Sequence, residues 1–83
     1  MPFYVYVLLC EDGSYYTGYT KDIDLRVKQH RIGVGARYTK MHRPKRLVYT
    51  EEFSTIREAM KREKKIKQLS HKEKNKLVNS HPR

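Results

Sequence analysis

The sequence predicts a small α+β domain in which a three-stranded antiparallel sheet, opened by an N-terminal β-hairpin, is flanked by about three helices. Three observations predict it. Residues 3–10 are rich in aromatic, β-branched and aliphatic side chains, which reads as a strand buried on both faces. A turn at Asp12-Gly13 follows, and a second aromatic run begins directly after it. The C-terminal third then switches to a helical period, with two hydroxyl-x-x-Glu starts, Thr55-x-x-Glu58 and Ser70-x-x-Glu73. At 83 residues the chain is expected to be one domain, 1–83, with a single modest core.

The second strand spans residues 14–20, and the three residues between the strands place Gly13 in a left-handed conformation. Pairing Cys10 with Ser14 sets Leu8 opposite Tyr16 and Tyr6 opposite Gly18, so Tyr6 and Tyr16 project from one face. A one-residue slip would send one of the two phenols to the other face. Tyr15 and Tyr19 alternate with Tyr16 and are expected to pack on the opposite side.

Asp22 is placed to cap a helix over residues 23–32 that ends at Gly33. Ile23 and Val27 mark its apolar side, with Leu25 nearby. Arg26 and His30, four apart, share one face at the margin of that stripe. Residues 33–45 contain Gly33, Gly35 and Pro44 among Arg37, Lys40, Arg43 and Lys45, show no period, and read as an exposed basic loop. Residues 46–53 alternate as a third strand.

Two helices follow from the capping signals. In the first, Ile56, Ala59, Met60, Glu63 and Ile66 keep the i, i+3, i+4, i+7 spacing, which puts Glu63 on the inward face. An inward carboxylate needs either a cationic partner or a metal ion. Arg26 or a neighbouring lysine could serve as the first; Mg²⁺, a hard cation that keeps several waters and takes one or two carboxylates, is the second.

Charge narrows the partner class. The formal net charge is +10 at pH 7, and residues 55–83 hold 10 of the 19 Lys/Arg but 3 of the 9 acidic residues. A polyanion, nucleic acid above all, is the natural partner. The basic segments lack the apolar face an interfacial helix would insert, and the run from Val5 to Leu9 is too short to span a bilayer, so no membrane role is expected. Cys10 is the one cysteine, which excludes a disulfide framework or a cysteine-based zinc site and fits a reducing, cytoplasmic setting. His42, His71 and His81 lack zinc-site spacing and read as surface histidines. Tyr38 is a candidate for stacking on bases, and Tyr49 for packing.

The ordered set of Tyr4-Val5-Tyr6, Tyr16-Thr17-Gly18, Arg26 ten residues after Tyr16, His30 four further on, Glu63, and Asn75 twelve after it resembles the GIY-YIG nuclease superfamily. The resemblance runs from Phe3 to about Leu77 and is closest to small stand-alone bacterial members. Tyr4 stands where the motif has its first Gly, and Thr17 where it has Ile. The resemblance implies a GIY-YIG-like fold and metal-dependent hydrolysis of phosphodiester bonds in DNA, single-stranded or branched forms included, with DNA favoured over RNA. Tyr6 would activate or position water, with His30 accepting or relaying its proton. Tyr16 would bind the phosphate or a metal-bound water, Arg26 would stabilise phosphoryl charge, Glu63 would hold Mg²⁺ (or Mn²⁺), and Asn75 would orient the phosphate or close the site. The alternatives are a catalytically silent nucleic-acid-binding module and a nuclease subunit activated by a protein partner.

Overall fold

In a computed structural model, residues 1–35 and 37–80 are described. They form β1 (Phe3–Cys10), β2 (Tyr15–Thr20), α1 (Ile23–Arg31), α2 (Arg37–Met41), β3 (Pro44–Phe53), α3 (Ile56–Lys67) and α4 (His71–Ser80). The sheet order is β2-β1-β3 and both pairings are antiparallel.

The hairpin has the expected odd-length loop. Cys10 N–H donates to the Ser14 carbonyl at 2.8 Å, and Gly13 closes the turn at φ 85°. The register is Leu8 opposite Tyr16 and Tyr6 opposite Gly18. As the central strand, β1 is covered on both sides, and Val5, Tyr6, Val7 and Leu8 are all buried.

Alternation divides β1 between two layers. Val5 and Val7 join Val48, Tyr49, Ala59 and Ile66 in the main apolar core, with Phe3, Leu9, Tyr15, Tyr19, Leu77 and Val78 packed around it. This is the side covered by α3 and α4. Tyr6, on the other side, meets α1 and, through it, α2. Strand β3 is longer than the sequence pattern indicates. Tyr49 pairs with Val7 and Leu47 with Leu8, leaving Val48 as an extra residue in a bulge.

The helix starts follow their caps. Asp22 accepts from Leu25 N–H, Thr55 from Glu58 N–H, and Ser70 and Glu73 cap each other reciprocally. Two expectations are corrected. Residues 33–45 are not all loop, since α2 forms there and buries Thr39; five residues are too few to show a period, and tertiary contacts hold the turn. The buried residue of α1 is His30, while Leu25 is 53% exposed, because the site side of the sheet receives an imidazole rather than an aliphatic stripe.

Candidate active site

The site is built around Tyr6. Its position opposite Gly18 matters sterically, because a Cβ on residue 18 would lie 2.5 Å from Tyr6 Oη and 2.7 Å from Cζ. The missing side chain lets the Tyr6 ring lie across β2 towards α1. There its hydroxyl is 2.8 Å from His30 Nε2, and His30 Nδ1 is 2.7 Å from Thr39 Oγ1. Tyr6, His30 and Thr39 are 1%, 1% and 2% exposed. A second glycine, Gly35, lies so close to the His30 ring that any Cβ there would overlap it.

Tyr16 completes an aromatic wall. Its ring centroid is 6.3 Å from that of Tyr6, 5.0 Å from His30 and 5.8 Å from Tyr38. Tyr38 stacks in turn on His42 at 4.1 Å, and the His42 Nδ1 is bonded to the Asp12 carboxylate in the hairpin turn. The Ser14 hydroxyl and His42 hold Asp12 well below the usual carboxylate range. Thus α2 is tied both to the hairpin turn and to the phenol at the centre of the wall.

Electrostatics sets the protonation states. Burial pushes Tyr6 up to about 12, against the opposing pull of the Arg26 guanidinium, and Tyr16 rises for the same main reason. His30 is pushed down to about 4, first by burial and then by the Arg26 charge, so the imidazole is neutral at pH 7. Arg26 also donates to Gln29 Oε1 at 3.0 Å. The negative charge of Glu63 reaches both phenols and raises them, although α3 packs on the other side of the sheet. The route is short because Tyr16 belongs to β2, an edge strand in contact with α3.

The structure therefore brings Tyr6, Tyr16 and His30 together, with Arg26 beside the phenols and Glu63, on α3, within electrostatic reach of both. Glu63 flanks the buried stripe of α3, which runs through Ala59 and Ile66, while Met60 and Ile56 are about half exposed. Its side chain is 18% exposed and pairs with Lys67 at 3.7 Å. The pairing with Arg26 weighed from the sequence is not formed. Asn75 is placed elsewhere: its Oδ1 accepts from the Tyr15 hydroxyl, on the packing side of β2. His71 is exposed, as expected, and its ring also bonds the Gly13 carbonyl at 2.9 Å and packs on Tyr15. His81 lies outside the described residues.

Thr39 was not legible as a site residue. The available signal was Gly35, a glycine with no turn to explain it, four residues before a threonine in an otherwise basic segment.

The donor set also bears on metal binding. Among the described residues no group of three or more His, Cys, Asp or Glu gathers, so no closed protein cage is built. A single carboxylate whose charge reaches both phenols suits a hard cation that completes its shell with water and phosphate, and does not suit zinc.

Comparison with known proteins decides the family. The model of the GIY-YIG catalytic domain matches residues 2–77. The chain belongs to the GIY-YIG family. Within this nuclease family, the present GIY-YIG chain is 53% identical over 75 residues to a UPF0213 protein of Staphylococcus saprophyticus, a match covering 90% of this chain and 92% of that one. The solution NMR structure of the UPF0213 protein BH0048 from Bacillus halodurans is 51% identical with a TM-score of 0.61, covering 95% of this chain and 84% of the other. That of EF2693 from E. faecalis is 40% identical with a TM-score of 0.65, covering 96% and 85%. The three-stranded sheet with its N-terminal hairpin is the fold this GIY-YIG chain shares with them. No helix among the described residues is long and apolar enough to cross a membrane.

Proposed function

We propose that the chain acts as one Mg²⁺-dependent nuclease domain that hydrolyses phosphodiester bonds in DNA, in a reducing, cytoplasmic setting. The observation that carries this reading is the buried Tyr6–His30 hydrogen bond, with the charges of Arg26 and Glu63 converging on Tyr6 and Tyr16.

A phenol raised to about 12 is a weak base when it acts alone. Bonded to a neutral imidazole, Tyr6 can pass its own proton to His30 Nε2 as it takes one from the attacking water, so charge is never left on an isolated buried phenolate. Tyr16, at the aromatic wall, hydrogen-bonds a phosphate oxygen. Arg26 provides a fixed cation for the phosphoryl charge that grows in the transition state. Glu63 would hold Mg²⁺, which when bound polarises the phosphate and stabilises the leaving oxygen.

Arg26 and Gln29 also line an open cleft with Lys21, Tyr19 and Ile56, a path for the strand beside the scissile phosphate. The exposed lysines of α3 and α4 lie across the sheet from His30 and would steer a polyanion over longer range. Contacts of this kind predict weak sequence preference and binding that falls steeply with salt.

The test incubates purified protein with single-stranded, duplex and branched DNA and with RNA, with and without Mg²⁺, beside Tyr6→Phe and Glu63→Ala. Mg²⁺-dependent cleavage of DNA lost in both variants is expected. Cleavage that survives in both would reject the site. Binding of every substrate without cleavage would favour the silent binding module.

A further inference from the structure

We propose that the groove between α1, α2 and the start of β3 is a binding surface for an unpaired nucleic-acid strand, whose phosphates are held by Lys28, Arg31, Lys40, Arg43 and Arg46. The surface stands on its own geometry; its link to cleavage rests on the nuclease reading.

Helical spacing makes α1 a divider between two clefts. Arg26 and Gln29 line the open cleft beside Tyr19. Asp24, Val27, Lys28 and Arg31, spaced i, i+3, i+4 and i+7, share another face, and with Arg46 and Leu47 of β3 they line a cavity of about 560 Å³. Arg31 also lines a second cavity, of about 200 Å³, together with Lys40 of α2 and Arg43. The shared arginine joins the two into one groove. The segment that reads from sequence as an exposed basic loop is thus folded so that its cations line the same groove as those of α1.

Charge and shape select the occupant. All five cations are exposed, and none is in an ion pair among the described residues. Asp24 is the one carboxylate among the described lining residues. Like charges held around a concavity focus a positive potential, which a chain of spaced anions relieves. Half-buried Val27, Leu47 and Pro44 lie among them and offer apolar contact to sugar and base faces, which only an unpaired strand exposes fully. Cavities of this size take groups on the scale of a nucleotide and not a duplex. The lysines of α3 and α4, by contrast, are interspersed with Glu58, Glu63 and Glu73. His30 and Thr39 also line the smaller cavity, and His30 Nε2 is 2.8 Å from Tyr6 Oη, so one imidazole ring separates a strand in the groove from the phenol.

The test measures binding of fluorescent oligothymidylate to the full chain by anisotropy across a salt series, with duplex DNA and polyglutamate as competitors. Arg31→Gln/Arg43→Gln/Arg46→Gln is compared with Lys61→Gln/Lys64→Gln/Lys65→Gln, which removes the same charge from exposed positions of α3. The groove variant is expected to bind on the order of 10-fold more weakly and to lower the salt slope by about 2, since each phosphate contact on a single strand contributes about 0.7. The α3 variant should lose far less. Lys28→Gln/Lys40→Gln, which leaves the arginines in place, should weaken binding in the same direction. Equal losses in the groove and α3 triple variants would reduce the effect to net charge and overturn the proposal, as would unchanged binding in both groove variants. Displacement by polyglutamate as effective as by unlabelled strand of equal charge, or a loss confined to duplex, also overturns it. If the groove variants bind weakly but the wild type cuts no nucleic acid, the nuclease reading fails and the surface stands. If the wild type cuts and the groove variants bind as it does, the surface fails and the nuclease reading stands.

Discussion

Tyr6 Oη and His30 Nε2 are 2.8 Å apart, between two side chains that are each 1% exposed and 24 residues apart in sequence. A buried phenol–imidazole contact constrains both partners, since each gives the other a hydrogen-bond partner inside the domain. Its consequences can be measured in stability as well as in catalysis.

Gly18→Ala tests the steric basis of that contact. The new Cβ would fall 2.5 Å from Tyr6 Oη, so the ring must move off β2. The expected cost is about 1–3 kcal/mol of stability, as for other overpacked cores. Cleavage should fall further than unfolding of the protein explains. Denaturant unfolding and cleavage on one preparation check this, and normal activity in Gly18→Ala would show that the ring position is not critical.

Acid should destabilise the fold through His30. Its value of about 4 in the fold lies below the ordinary 6.5, so between those pH values the unfolded chain binds a proton that the folded chain does not. Stability therefore falls as pH drops through that window, at no more than about 1.4 kcal/mol per pH unit, and levels off below it. Urea unfolding across the window should show the slope in wild type and lose it in His30→Gln. An unchanged slope in the variant would assign it to another group.

Glu63→Gln separates charge from packing. The Lys67 pair is long and half open to solvent, so its loss costs at most about 1 kcal/mol. Stability should barely change while Mg²⁺-dependent cleavage is lost, and Lys67→Ala should keep both. Full activity in Glu63→Gln at low Mg²⁺ would remove Glu63 from the metal role.

Asn75→Ala and Tyr15→Phe should behave alike. Each deletes one partner of the same hydrogen bond, worth about 1 kcal/mol, and neither touches the Tyr6 face. Equal losses in thermal stability with cleavage near wild type below the transition are expected. A large drop in cleavage for Asn75→Ala alone would return Asn75 to the catalytic group.

These comparisons show where local rules suffice. The hairpin was legible down to its register, because a loop count and a period of two together decide which phenols share a face. Glu63 was legible from a period of 3.6, though its phase was slightly misjudged. Arg62 turns inward to Glu51 at 3.0 Å, and Glu51 also accepts from Tyr49, so a salt-bridged cation occupies a place the apolar pattern gave to Met60. Thr39 was hidden in an aperiodic segment whose single helical turn is held by contacts with distant residues. Asn75 kept its family spacing, but spacing along α4 carries no information on which side of β2 the helix packs.

The bond between Tyr15 and Asn75 spans 60 residues, and His71 on the same helix holds the hairpin turn at Gly13. The two tyrosine strands are thus braced by a helix synthesised long after them, with α1, α2, β3 and α3 in between. The hairpin emerges without the helix that later holds its turn, and Glu63 on α3 follows only shortly before that brace. A nascent chain therefore holds Tyr6 and Tyr16 well before the residues that fix their hairpin in place, so the placing of the two phenols depends on long-range contacts that form late.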